Sequence, residues 1–114
     1  MNNPTISRDE LRDLIDAGTV TVVEALPAEY FEQGHLPGAI NLPHTEVREL
    51  APTLLPDKDA AIVVYCANEP CPNSGIATHV LLKLGYTNVR DYEQGKADWV
   101  EAGLPLEQAS PVAG

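Results

Sequence analysis

Apolar residues along this chain of 114 residues follow two alternating periods, one helical and one strand-like. Ser7 and Glu10 have the spacing of a capping box, and Leu11, Leu14 and Ile15 recur at helical intervals before Gly18, which predicts a helix over about 7–17. The run "TVTVVEAL" (19–26) is β-branched and largely apolar, as a strand covered on both faces would be. Pro27 then opens a short helix that carries Tyr30 and Phe31 and stops at Gly34. Ala39 to Leu42 form another short apolar run, bounded by Pro37-Gly38 and Pro43. Thr45 is placed to cap a helix with Val47, Leu50 and Leu54 on one face, and Pro52 is expected to fray it early.

The most strand-like run is "AAIVVYC" (60–66), too short for a buried helix and rich in β-branched residues, and a central place in a sheet is expected for it. Beyond the loop that follows, Ser74 is a good N-cap for a helix with Ile76, Val80, Leu81 and Leu84 on one face, ending at Gly85. "TNVRDY" supplies a last strand and "QGKADWVEAG" a last helix. Helices alternating with short apolar strands imply an α/β domain whose parallel sheet is covered on both faces. The expected domain spans 5–107, and the small polar residues 108–114 are expected to form a flexible tail.

Composition narrows the function classes. Seventeen acidic residues against seven basic ones give a formal net charge of -10, a field that repels phosphate backbones, anionic lipids and, at low salt, anionic small molecules. Neither nucleic acid nor membrane partners are expected. The opening "MNNPTISRDE" lacks the basic segment and apolar core of a secretory signal, and no run reaches the length of a membrane span, so a cytoplasmic location is expected. Two cysteines, Cys66 and Cys71, make no disulfide framework in a domain of this size.

Their positions differ. In parallel α/β sheets ligands bind beyond the carboxyl ends of the strands, and Cys66 stands there while Cys71 lies within the loop, between Pro70 and Pro72. A sulfur at that point is expected to face loop N–H groups and the positive end of the next helix, both of which favour thiolate. Any such activation comes from backbone, since no Lys or Arg occurs between Cys66 and Ser74 and Glu69 adds negative charge. The other reading of Cys66 is a buried structural thiol. A zinc set of Cys66, Cys71, His79 and His44 does not have the Cys-x2-Cys spacing, so neither a metal nor another cofactor is expected. His35 reads as a residue that fixes its turn, and Trp99 as core or pocket wall.

The segment "VVYCANEPCPNSGIATHVLLKLGYTNV" resembles the active-site region of rhodanese-like sulfurtransferase domains, in which a strand ends in Tyr-Cys and a loop leads to a Ser at the head of a helix. "EYFEQGHLPGAINLP" and "QGKADWVEAGLPLE" resemble two further hallmarks of the family, in the family's order. The resemblance implies a three-layer fold with a five-stranded parallel sheet. It also implies a sulfurtransferase in which Cys66 carries a sulfane sulfur, cradled by the active-site loop of Ala67, Asn68, Glu69, Pro70, Cys71, Pro72, Asn73 and Ser74. The implied donors are thiosulfate, a persulfide or a protein persulfide, and the acceptors a thiol, cyanide or a sulfur-carrier protein.

Three departures stand out. Glu24-Ala25-Leu26 replaces the family's common Asp-x-Arg, so ion pairing by that Arg is missing. Seven residues rather than five separate Cys66 from Ser74, and the loop lacks the Arg with which related phosphatases and arsenate reductases clamp an oxyanion. Cys71 is the third, a candidate resolving thiol for a Cys66-Cys71 disulfide or else a loop filler. A thiol redox enzyme and a non-catalytic partner-binding module are therefore the alternatives to sulfur transfer.

Overall fold

Ser7 caps as its spacing predicts: its Oγ accepts from the Glu10 N–H at 3.2 Å, and helix α1 (Arg8–Ala17) ends at Gly18 with φ 71°. The computed structural model describes residues 3–108, and the expected tail from 109 onward lies outside the described residues. Strands β1 (Thr21–Glu24), β2 (Ile40–Asn41), β3 (Ile62–Tyr65) and β4 (Val89–Tyr92) form one parallel sheet in the order β2-β1-β3-β4. Helices α2 (Ala28–Gln33), α3 (Val47–Leu54), α4 (Asn73–Lys83) and α5 (Gly95–Glu101) make the connections and cover the faces.

The sheet has four strands among the described residues rather than five. At the place of the fifth, Thr5 makes a single parallel bridge to Asp91, with the Asp91 N–H donating to Pro4 O and the Ile6 N–H to Asp91 O. Pro4 has no N–H to extend that ladder, and Ser7 already turns the chain into α1.

All four residues of β3 are buried, which requires cover on both faces. Ile62 and Val64 pack on one side with Val23, Leu42, Val47, Leu55 and Leu81, and Val63 and Tyr65 on the other with Leu11, Leu36, Tyr92 and Trp99. The strand-like run thus lies in the middle of the sheet, paired with β1 and β4.

Two helical faces differ from expectation. In α4 the residues turned inward are Ser74, Ala77, Thr78 and Leu81, while Ile76 is 44% exposed. Small side chains let the helix approach β3 and β4 closely, so counting large apolar residues rotates its predicted face. In α3 the buried residues are Val47 and Ala51, followed by Leu55 at the cap, while Leu54 is exposed. Thr45 does not cap α3, because a 3-10 turn over His44–Glu46 precedes it. The helix also continues past Pro52, which faces solvent where water can serve the freed carbonyl.

The end of α3 is held from α4's far side. The Tyr86 hydroxyl, buried, donates to the carbonyls of Ala51 at 3.1 Å and Leu55 at 2.5 Å. Tyr86→Phe strips both carbonyls of that donor and is expected to cost about 1–2 kcal/mol, read as a lower urea midpoint at unchanged slope.

Candidate active site

Glu24, Tyr65 and Cys66 stand at the carboxyl ends of β1 and β3, and all three are fully buried. The Tyr65 hydroxyl donates to Glu24 Oε1 at 2.7 Å and accepts from the Leu36 N–H at 3.0 Å. Burial, then the charge and hydrogen bond of Glu24, push that hydroxyl well above its ordinary titration range. Lys96 of α5 completes the group, its Nζ 3.1 Å from Glu24 Oε1 and donating to Tyr30 O at 3.2 Å. The Arg is absent after β1 as noted, and Glu24 of β1 instead takes its cation from the last helix.

The start of α5 also grips the loop. Lys96 N–H donates to Cys66 O at 2.9 Å and Ala97 N–H to Ala67 O at 2.8 Å. Such an approach requires Gly95, whose φ is 69° and where a Cβ would meet Cys66 O at 2.5 Å.

Around the sulfur the geometry departs from expectation. The Cys66 thiol donates to Cys71 O at 3.3 Å and lies 3.5 Å from Ser74 Oγ, with Asn68 O at 3.9 Å. Carbonyls thus share the sulfur with donors. Pro70 and Pro72 have no N–H to offer, and the turn that hydrogen-bonds the Cys71 N–H to Asn68 O at 3.1 Å directs carbonyl oxygens inward. Burial pushes the Cys66 thiol up, and a hydrogen bond with the Cys71 side chain adds to this; the Ser74 hydroxyl and N–H pull in the other direction. The expected thiolate-favouring cradle is outweighed in this closed loop.

Each predicted loop residue has a distinct place. Asn68, Glu69 and Pro70 form the exposed tip, Ala67 and Cys71 are half-buried, and Pro72 occupies the N-cap of α4. Ser74 is inside the first turn of α4 rather than its cap, so its hydroxyl turns to the sulfur. Asn73 reaches across to Ala25 O at 3.5 Å. Cys66 and Cys71 are both free thiols, joined by the hydrogen bond from the Cys66 thiol to the Cys71 carbonyl.

His35 stacks on Phe31 at 3.9 Å, and its Nδ1 lies 3.0 Å from Phe31 O, so it fixes its turn. Trp99 is core, donating to Pro105 O at 2.9 Å. His79 and His44 line two separate surface hollows, and no three potential metal ligands converge among the described residues.

Asp91, which the sequence reading passed over, lies in β4 beside Ser74 and is 4% exposed. Burial pushes its carboxyl up, a hydrogen bond from Ser74 pulls it down, and nearby Glu93 pushes it up again. An acid on the inward register of the apolar "VRDY" run was the signal available.

A thiol at the carboxyl end of a central parallel strand, in a loop closed by the next helix, defines a class of α/β domains built to present one cysteine. The comparisons narrow the class. A family model described as a rhodanese-like domain matches residues 7–102, and the chain belongs to that family. It is 36% identical over 107 residues to the HTH-type transcriptional regulator Rv0324 of Mycobacterium tuberculosis, covering 94% of this chain but only 46% of that protein's length. Human thiosulfate:glutathione sulfurtransferase is 32% identical over 111 residues, covering 86% of this chain and 94% of the enzyme. Among solved structures, the human single-domain sulfurtransferase TSTD1 superposes with a TM-score of 0.77 at 27% identity, covering 88% of this chain and 97% of that one.

Two outcomes are expected. Gly95→Ala should cost roughly 2 kcal/mol or more in urea unfolding, whereas Gly103→Ala, also at positive φ but with nothing within 4 Å, should cost less. Because the thiol is pushed up, Cys66 should be mostly protonated at neutral pH. Its capture by iodoacetamide should still be rising above about pH 8.5, where a free thiol is half-ionised, and Ser74→Ala should move the profile further alkaline.

Proposed function

We propose that this chain moves a sulfane sulfur from a donor to a nucleophilic acceptor through a persulfide on Cys66. The observation that carries the reading is the position of Cys66 at the end of β3, beside Ser74 in the first turn of α4, in a chain of the rhodanese-like family. The Cys66 thiolate attacks the outer sulfur of a persulfide or thiosulfate donor, the donor's S–S bond breaks, and the remainder leaves with the electron pair. An acceptor thiolate or cyanide then attacks the outer sulfur of Cys66–S–SH and releases the Cys66 thiolate.

Cys66 is buried, so a donor reaches it only when the exposed tip from Asn68 to Pro70 swings outward. Displacing the tip also withdraws the Cys71 and Asn68 carbonyls, leaving the Ser74 hydroxyl and N–H to stabilise the thiolate. Small thiols or a sulfur-carrier protein are the partners of this reading, and a reducing, cytoplasmic setting suits its two free thiols. No described helix is long and apolar enough to cross a membrane. The -10 charge and a loop without cations favour persulfide donors over thiosulfate.

The approach of the Cys66 sulfur to the Cys71 backbone, both thiols being free, favours a second reading, in which Cys71 attacks the inner sulfur of the Cys66 persulfide, releases hydrosulfide and leaves a Cys66-Cys71 disulfide for an external thiol to reduce. The burial of Cys66 and its raised thiol favour a third, a partner-binding module without catalysis.

One set of samples separates them. Incubated with glutathione persulfide, wild type and Cys71→Ser should each gain a single cyanide-removable sulfur by intact-protein mass spectrometry, and Cys66→Ser none. Turnover lost in Cys71→Ser, with an intramolecular disulfide in wild type, would establish the redox cycle; no added sulfur in any sample would establish the non-catalytic module.

A further inference from the structure

Two acids, Glu24 and Asp91, are buried among the described residues. Glu24 is met by Tyr65 at 2.7 Å and Lys96 at 3.1 Å, whereas Asp91 has no ion pair and its Oδ1 no hydrogen-bond partner among those residues. A carboxylate in such a place holds a proton more readily than one in water.

Register fixes where this acid points. Asp91 pairs with Val64, two residues before Cys66, and so turns to the face of the sheet that α4 covers. There its Oδ2 lies against the first turn of α4, 3.6 Å from where a Cβ on Gly75 would stand, and Ser74 hydrogen-bonds the carboxyl. The same Ser74 hydroxyl lies 3.5 Å from the Cys66 sulfur and is buried with it. Thiol, hydroxyl and carboxyl thus stand in a chain.

That hydroxyl has one hydrogen to give. With Asp91 ionised, the hydrogen goes to the carboxylate, and the Ser74 oxygen accepts from the Cys66 thiol, as the geometry shows. With Asp91 protonated, its O–H donates to Ser74 Oγ, and the Ser74 hydrogen turns to a thiolate. Two buried anions cannot both have it, and burial already raises the proton affinity of each.

We propose that Asp91 is a positioning residue that acts on Cys66 through Ser74: it aims the Ser74 hydroxyl and takes up a proton as the thiolate forms, so that thiolate and carboxylate share one negative charge. The thiol proton passes to Ser74 Oγ while the Ser74 proton passes to Asp91, and the site carries one negative charge before and after. Return of the Cys66 thiol runs the same steps backwards. Ser74 belongs to α4 and Asp91 to β4, so the chain stays in place when the loop tip swings outward. Other titratable groups near Asp91 are Glu93 on its own strand and Glu69 and Cys71 from the loop, while His79 of α4 lines a separate hollow beyond Gly75.

The inference concerns the site of the sulfur-transfer reading, but its test needs no sulfur donor, so the two fail separately. Alkylation of Cys66 by iodoacetamide is followed from pH 5 to 10 by peptide mass spectrometry, with Cys71→Ser in every sample so that no second thiol titrates. An isolated thiol below its titration slows about tenfold for each pH unit. Two groups that share one charge behave differently, because between their titrations the thiolate paired with a protonated carboxyl keeps a constant population. The profile should therefore carry a shelf at least about one pH unit wide. Asp91→Asn should remove the shelf and restore the plain slope; loss of the like charge also shifts the whole profile, so the shape decides. Ser74→Ala should narrow the shelf to less than about half, because only charge across space then links the two groups. Glu93→Gln, at an exposed position, should keep its width. A profile without a shelf, a shelf that survives Asp91→Asn, or one unchanged in Ser74→Ala would overturn the proposal, and a shelf lost in Glu93→Gln would give the role to that acid instead. Should Asp91→Asn fail to fold, the other three samples still decide.

Discussion

A carboxylate buried without solvent has to be met by donors, and that requirement at Glu24 organises this molecule. Its Oε1 takes the Tyr65 hydroxyl at 2.7 Å and lies 3.1 Å from the Lys96 ammonium, and Tyr65 in turn takes the Leu36 N–H. One oxygen thereby ties β1, β3, the turn before β2 and α5 into a fixed relation. Removing any one partner would leave charge in a site that cannot hydrate it. Cys66 is the residue after Tyr65, so its backbone inherits the position this group dictates.

A second restraint acts on the same few atoms from the other side. Gly95 lets the first turn of α5 come within hydrogen-bond range of Cys66 O and Ala67 O, and Ser74 closes the loop from the start of α4. The sulfur is therefore placed by backbone, by neutral side chains and by the ion pair of Glu24 Oε1 with Lys96. Its chemistry depends on which groups face it, the Cys71 and Asn68 carbonyls on one hand and the Ser74 hydroxyl and N–H on the other.

Much of this was legible in the sequence, for identifiable reasons. Period and capping chemistry located the helices and strands, because Ser7, Gly18 and the β-branched run before Cys66 act through local geometry. The position of Cys66 followed from topology alone, and the family resemblance agreed with it. What was not legible depended on contacts distant in sequence. Lys96 lies 72 residues from Glu24, and nothing at position 24 announces that its partner comes from the last helix. The inward face of α4 was misjudged because close approach selects small residues, which carry no hydrophobic signal. The thiol's direction of titration was misjudged because burial of the sulfur, which outweighs the Ser74 donors, is not visible in the spacing of the loop, and Pro70 and Pro72 bring no N–H groups to offset it. The shortfall of one strand traces to another proline, Pro4, beside the Thr5–Asp91 bridge at that edge.

The pinning of the loop at both ends bears on how such a site can diversify. Residues 66 and 67 are fastened to α5 and residue 74 to the helix it opens, while the segment between them makes few fixed contacts and its tip is exposed. The entropic cost of closing a flexible segment grows only with the logarithm of its length, so residues can be added or removed there with little effect on stability. The two extra residues of this loop are in that sense an interchangeable cassette set into a rigid frame. The groups that surround the sulfur can change by rewriting the cassette, while the sulfur stays where the frame puts it.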